Sequence, residues 1–284
     1  MTVLEILTHT SKYFSKNGIE NPRRNIELLL AHVLDCQRLD LYLQYDSVVS
    51  DAKRDQLREL VRKRATGYPV QYLIGEVEFF GHSFLCDERA LIPRPETELL
   101  VELGLKILRQ NPHENRPRIL DVGTGSGVIA LSLALEFPQA DIEAVDISEE
   151  ALALASENAR RLGLENRVSF SKSDILSHFA SGKHFELIIS NLPYIPTAER
   201  PTLAREVQCE PLLALDGGHD GLQWIGRLIH QATGFLARGG YIALEIGYNQ
   251  AQNVQKLLEQ SAYTAISIER DYQQIERLIT ARYG

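Results

Sequence analysis

Asn191, Leu192, Pro193 and Tyr194 stand in succession directly after Glu186 to Ser190, an apolar run that reads as a β-strand. In open α/β folds, ligands bind beyond the carboxyl ends of such strands. The Asn191 side chain supplies one carbonyl oxygen, and the Leu192 backbone supplies a second that can be aimed at the same small NH2 group. Pro193 biases Leu192 toward extended geometry, and Tyr194 offers a ring on which a planar amide or base can stack. The structural alternative is a strand-end turn with a buried tyrosine.

A second constellation precedes it. Asp121-Val122-Gly123-Thr124-Gly125-Ser126-Gly127 follows the strand pattern Arg118 to Val122 and opens a helix from about Gly127 to Phe137. Glycines there let a backbone approach a ligand, and amide groups at the helix start face it. A nucleotide-like ligand is implied, the alternative being a tight turn with no ligand. A dinucleotide fingerprint would need glycine or alanine where Val128 stands, which disfavours NAD. Asp146 closes the strand pattern Ile142 to Asp146, where a carboxylate can accept from both hydroxyls of a ribose. Ser148 is placed to cap the next helix, with Glu149 and Glu150 in its first turn, so Asp146 reads as a ligand residue rather than a cap. Asp174 follows the strand Val168 to Ser171 and can accept from an adenine amino group or serve a turn.

These residues need a sheet to hold them. Further strand patterns run over Tyr241 to Ile246, Ala265 to Glu269 and Arg277 to Ala281. With the four already named they make seven strands alternating with helices, a doubly wound, Rossmann-like α/β domain. Residues 1–75 instead show helical spacing at Leu4, Leu7, Leu28, Leu29 and Val33, with Asn21-Pro22 as an expected N-cap and first helical residue. Between them, residues 76–95 alternate around Gly81 as a β-hairpin linker, and Pro93 and Pro95 stiffen its exit. The 284 residues exceed what one core organises, which agrees with a small all-α domain before a large α/β one.

Composition narrows the function. The net charge of -8 divides as +2 for residues 1–75 and -10 for the rest, a poor field for a phosphate backbone. Direct nucleic-acid binding is therefore disfavoured. The basic cluster Arg58, Arg62, Lys63 and Arg64 reads as a solvated helix face, with an acidic partner as the alternative. Cys36, Cys86 and Cys209 lie too far apart in sequence for a clustered site or a disulfide framework, which fits a reducing cytoplasm. His178 and His184 lack a ligand set, so no metal is expected. No signal peptide or membrane span is read, and a monomer is the default.

The combination of GxGxG, an acid after the second strand, an aspartate after the third and Asn-x-Pro-Tyr after the fourth resembles an S-adenosylmethionine-dependent amino-group methyltransferase. With EFFGHSFLCDERALIPRPETELLVE before the loop and EPLLALDGG after the tyrosine, the chain resembles the HemK/PrmC family, release-factor glutamine N5-methyltransferases. The resemblance implies a class I S-adenosylmethionine-dependent fold for residues 96–284 and a release-factor-recognition role for residues 1–75. It implies the Gly-Gly-Gln glutamine of class 1 peptide chain release factors as acceptor. Asn191, Leu192, Pro193 and Tyr194 would serve catalysis and substrate binding. Gly123, Thr124, Gly125, Ser126 and Gly127 would face the methionine part of the cofactor, Asp146 the ribose, and Asp174 with Ile175 the adenine. Asn191, Arg94 and Thr97 would complete that site, pairing of Arg94 with Glu96 or Glu98 being its structural alternative. Leu192 departs from the usual Asn-Pro-Pro-Tyr and resembles instead the ribosomal-RNA adenine dimethyltransferases, which gives RNA adenine methylation as one alternative function. A non-catalytic binding module of the same fold is the other.

Overall fold

The computed structural model describes residues 1–111 and 116–284. Two compact units are present, one of Met1–Glu76 with Ala204–Cys209, the other of Val77–Leu203 with Glu210–Gly284.

The first unit is helical: α1 (Val3–Lys16), α2 (Pro22–Leu34), α3 (Asp40–Leu43), α4 (Asp51–Ala65) and α5 (Val70–Ile74). Thr2 and Glu5 form a reciprocal capping box on α1, which satisfies two amides the helix leaves orphaned. Val3, Leu7, Phe14, Ile26, Leu29, Leu30 and Leu41 fill the core. Pro22 opens α2, but Asn21 does not cap it with its side chain. Its φ of 48° is left-handed, outside the extended region from which a cap side chain reaches the second and third amides. Arg58 and Arg62 do sit on an exposed face, paired with Asp55 and Glu59. Arg64 leaves that expectation, because it is buried and donates to Asn25 Oδ1 at 2.6 Å and Glu206 Oε2 at 2.7 Å. A buried guanidinium needs such partners, and Glu206 belongs to the segment that returns to this unit from far along the chain.

The second unit opens with the hairpin β1 (Glu76–Phe79) and β2 (His82–Leu85). Phe80 and Gly81 both have positive φ, 51° and 74°, as a two-residue mirror-image turn demands. The Phe80 amide donates to Glu98 Oε1 at 2.7 Å, and Phe79 meets Phe84 edge to face in the core. Pro95 opens α6 (Pro95–Gln110). Thereafter β3 (Arg118–Val122), α7 (Val128–Glu136), β4 (Asp141–Asp146), α8 (Glu149–Arg161), β5 (Val168–Lys172) and β6 (Phe185–Ser190) alternate as the sequence predicts. The chain ends with α9 (Gln223–Ala232), β7 (Leu236–Glu245), α10 (Ala251–Gln260), β8 (Tyr263–Arg270) and β9 (Glu276–Tyr283). Helix α7 is apolar around most of its circumference, and its residues 128–134 are buried.

The seven strands lie in the order β5-β4-β3-β6-β7-β9-β8, parallel except where β9 runs against β7 and β8. The chain winds outward from β3 through β4 to β5, then restarts on the other side with β6. That reversal opens a crevice at the carboxyl ends of β3 and β6. Strand β7 begins five residues before its expected start, because the pairing slips between Phe185 and Leu187 and carries the strand through Gly239-Gly240 as a bulge rather than a break. Among the described residues no helix is long and apolar enough to cross a membrane, and all three cysteines are free.

Glu27, buried in the helical unit, accepts from Arg23 at 2.7 Å, Arg38 at 2.8 Å and Tyr42 at 2.8 Å. Burial alone would raise its pKa, but these donors outweigh burial and hold it below the ordinary 4.5. A depressed carboxylate stabilises the fold above the unfolded pKa, and that contribution is lost as pH falls through the folded value. Both arginines are partly exposed, so Glu27→Gln is expected to cost only about 1–2 kcal/mol near neutrality. The difference from wild type should shrink below pH 4.5, as read from melting temperatures across pH.

Candidate active site

The crevice at the chain reversal is a cavity of about 230 Å³. Val122 lies opposite Ser190 in the β3–β6 ladder, so the residues that follow, Gly123 and Asn191, emerge side by side. Ser190 Oγ donates to the Val122 carbonyl at 2.5 Å and ties the two strand ends.

The cavity is lined by Arg94, Thr97, Gly123, Thr124, Gly125, Ser126, Asp146, Asp174, Ile175, Asn191, Leu192 and Pro193. Two residues expected at the ligand stand elsewhere. Gly127 is outside the lining, with a φ of 85°, and a Cβ there would lie 3.1 Å from both Ala155 Cβ and Leu131 Cδ1. It is glycine so that α8 can pack closely against the start of α7. Tyr194 is also outside the lining. Its hydroxyl is turned to Glu245 Oε1 at 3.3 Å, and burial followed by the nearby Glu245 charge raises its pKa.

The loop amides differ from expectation as well. Gly123 and Thr124 both donate to the Val145 carbonyl, and Gly127 donates to that of Thr124. Gly125 donates to Asp146 Oδ2 at 2.9 Å. The loop thus uses most of its amides to lash the end of β3 to the end of β4, because buried backbone donors must find acceptors. Asp146 is correspondingly both turn and lining residue, since its Oδ1 accepts from the Ser148 amide at 2.9 Å. Ser148 caps α8 as expected, accepting from the Ala151 amide. Burial raises the Asp146 pKa while these backbone donors oppose it. With backbone donors from Gly125, Ser148 and Ile147, its two oxygens still retain lone-pair capacity for a ribose hydroxyl.

Asp174 is paired with Arg227 at 2.9 Å and keeps a place in the lining. Ile175 holds a φ of 56°, a strained choice for a β-branched residue, beside the cavity. Arg94 pairs with Glu210 rather than with Glu96 or Glu98. Glu210 also accepts from the Ile92 amide at 2.9 Å, so it anchors the approach to α6 at two points. Thr97, in the first turn of α6, donates to Glu245 Oε2 at 2.7 Å and accepts from Asn191 Nδ2 at 3.1 Å.

Several contributors carry no recognisable spacing in the sequence. Asn158 of α8 accepts from the Leu85 amide and donates to the Ser126 carbonyl at 3.0 Å, joining hairpin to glycine loop. Residues 88–91 and Trp224 complete the wall, so the segment after the hairpin is part of the site rather than a linker alone. Asp121 is fully buried, accepting from Thr124 Oγ1 and the Ala130 amide on Oδ2, and burial pushes its pKa up to about 7. Glu245 could have been found, since it ends a parallel strand at the carboxyl edge, the signal that pointed to Asp146.

A Cβ on Gly125 would meet only Ala90, at 3.9 Å, leaving a cradle against the backbone. Apolar walls from Leu91, Ile129, Ile147 and Leu213 suit a thioether chain and a flat base, and Asp146 suits the ribose between them. The residues present therefore fit an adenosyl amino acid. Among the described residues no cluster of three or more His, Cys, Asp or Glu side chains is placed to hold a metal ion.

Fold and site together define a class I-type methyltransferase. Residues 113–279 match the family model described as a methyltransferase domain, and residues 5–75 match the PrmC N-terminal domain. A methyltransferase structure from Pyrococcus furiosus superposes with a TM-score of 0.52 at 18% identity, covering 81% of this chain and 98% of that one, a likeness of fold. The release factor glutamine methyltransferase of Chlorobaculum tepidum is 41% identical, covering 97% of this chain and 95% of its own. That of Moorella thermoacetica is 40% identical over 99% and 98%. The chain belongs to the release factor glutamine methyltransferase family.

Leu192, the departure from that family's usual proline, is buried among the core side chains around β6. A Cβ on Gly123 would lie 2.9 Å from Leu192 Cδ2. Gly123→Ala combines this clash with a φ of 75° and is expected to cost about 1–3 kcal/mol. Leu192→Ala is expected to cost about 2–4 kcal/mol through its cavity. Because the second change removes the atom the first collides with, the double variant should lose less than the two summed, measured by urea unfolding. Strict additivity would refute the contact.

Proposed function

We propose that the chain transfers a methyl group from S-adenosylmethionine to the side-chain amide nitrogen of the Gly-Gly-Gln glutamine in class 1 peptide chain release factors. The observation that carries this reading is the emergence of Asn191-Leu192-Pro193 beside Gly123 and within the same cavity as Asp146, in a chain of this family.

S-adenosylmethionine, when bound, supplies a methyl carbon activated by its sulfonium. Gly123, Thr124, Gly125, Ser126, Arg94 and Thr97 would hold its methionine part, Asp146 its ribose, and Asp174 with Ile175 its adenine. The acceptor presents the harder problem, since an amide nitrogen shares its lone pair with the carbonyl. Orientation must do much of the work. Asn191 Oδ1 and the Leu192 carbonyl, neither bonded to a donor among the described residues, would accept the two NH2 protons. They fix the rotation of the carboxamide and favour positive charge as it develops on nitrogen. Positive charge leaves sulfur as it arrives at nitrogen. The N-alkylated amide cation is acidic enough to lose its proton afterwards without a strong base.

The helical unit would grip the release factor, supplying selectivity that a tripeptide tip lacks. In this reading the enzyme acts in the cytoplasm, as a monomer and without direct nucleic-acid contact.

Purified release factor with labelled cofactor tests the assignment. Label is expected on the intact Gly-Gly-Gln protein and not on the Gly-Gly-Ala form; label on both would refute the acceptor, and label only in ribosomal RNA would make the enzyme an RNA methyltransferase. Asn191→Ala is expected to lower kcat about 10²- to 10³-fold while cofactor binding survives. Asp146→Ala should weaken cofactor binding about tenfold, read by calorimetry.

A further inference from the structure

Glu245 ends β7 and is 1% exposed, yet neither the cofactor nor the acceptor needs to touch it. Its Oε2 accepts the Thr97 hydroxyl at 2.7 Å, and its Oε1 accepts the Tyr194 hydroxyl at 3.3 Å. Thr97 Oγ1 accepts in turn from Asn191 Nδ2 at 3.1 Å. A hydroxyl has one hydrogen. Because that of Thr97 is committed to Glu245, only lone pairs remain for Asn191, and the NH2 end of the Asn191 amide must turn toward Thr97. Its oxygen end is left for the cavity. The two ends of a carboxamide are nearly equal in size, so hydrogen-bond partners decide which way it faces.

We propose that Glu245 is a positioning residue for the methyl acceptor: by fixing the hydrogen of Thr97 it fixes the flip of the Asn191 amide, so that an oxygen rather than an NH2 group meets the incoming carboxamide. The inference rests on the reading that Asn191 holds that carboxamide. The opposite flip would set NH2 against NH2, two donors with no acceptor between them.

The groups facing Glu245 are Thr97 and Glu96 from α6, Tyr194 from the turn after β6, and Arg277 from β9. Burial is the largest influence and pushes its pKa up to about 7, against the Thr97 and Tyr194 hydroxyl donors and the nearby charge of Arg277. An ionised Glu245 forces both hydroxyls to donate to it, and the flip is unique. Protonation on Oε2 would let the carboxyl donate to Thr97, whose own hydrogen could then turn to Asn191 Oδ1 and reverse the flip. The competent arrangement belongs to the ionised form, so the rate falls as pH drops through about 7.

The test uses the full-length enzyme with a purified class 1 release factor and labelled S-adenosylmethionine, assayed from about pH 5.5 to 8.5. Wild type should show an acidic limb in kcat that Glu245→Gln lacks. A neutral amide at 245 can face either way, so kcat of that variant above the limb should also fall about tenfold or more, with cofactor KM within about threefold. Thr97→Val should repeat the loss, and Thr97→Ser, which keeps the hydroxyl, should recover most of it. An unchanged rate and limb in Glu245→Gln would overturn the proposal, as would Thr97→Ser no better than Thr97→Val. Should Glu245→Gln fail to fold, the Thr97 pair decides: because Thr97 is also assigned to the methionine part, the loss in Thr97→Val must fall on kcat with cofactor KM within about threefold, and a loss confined to cofactor KM would overturn the proposal. Asn191→Ala in parallel separates the two readings. Retained activity there would remove Asn191 as the acceptor's holder; loss there, with Glu245→Gln and Thr97→Val unaffected, would remove only the role of Glu245.

Discussion

The parallel pairing of β3 with β6 is the constraint on which the site depends. Once Val122 is opposite Ser190, the glycine loop and the Asn-Leu-Pro-Tyr turn must leave the sheet together. They leave where the chain reverses its winding, the place at which open α/β sheets offer a crevice. A register shift of one residue would turn every side chain of β6 to the other face and part Asn191 from the glycine loop. The apolar residues that set this register, Ile119, Leu120, Leu187, Ile188 and Ile189, are all fully buried. The packing of the core and the geometry of the site are therefore one problem with one solution.

Around that edge the polar work is done by acids that are buried or, for Asp146, half-buried. Asp121, Asp146, Glu210 and Glu245 each engage at least two donors, mostly backbone amides or hydroxyls at strand ends and loops. Beyond the ladder, backbone donors lack sheet partners and burial without an acceptor is costly. A carboxylate with two oxygens can collect donors from separate elements. Asp146 thereby joins the glycine loop to the start of α8, and Glu210 joins the Arg94 segment to a distant loop. Burial raises the pKa values of Asp121 and Glu245 to about 7, so hydroxyl partners that can reorient, Thr97 and Tyr194, become sensitive to the charge on their acceptor.

Much of the fold was legible because its periodicities are strong. The strand from Arg118 to Val122 was read to the residue, and the other strands lie within a few residues of their expected ends, except the bulged start of β7. The lining residues of the glycine loop and Asn-Leu-Pro-Tyr were legible because glycine, asparagine and proline have backbone consequences that do not depend on context. What was not legible shares a physical source. Gly127 packs against Ala155 of α8 and the Tyr194 hydroxyl turns to Glu245, contacts that proximity in sequence does not show. The pairing of Arg94 with Glu96 or Glu98, the alternative to a cofactor role, is replaced by Glu210, more than a hundred residues away.

The sequence alone determined which residue types could do chemistry and the order in which strands and helices would carry them, since hydrophobic period and turn chemistry are local properties. The resemblance carried by PRPETE and Asn-Leu-Pro-Tyr supplied the reaction to look for. Tertiary structure decided which polar atoms remain unspent. Whether the amides of the glycine loop face a ligand or Val145, and which end of Asn191 faces the cavity, depends on partners brought together only when the sheet closes. A hydrogen bond is a matter of a few tenths of an ångström between groups on different elements, and no one-dimensional pattern records it.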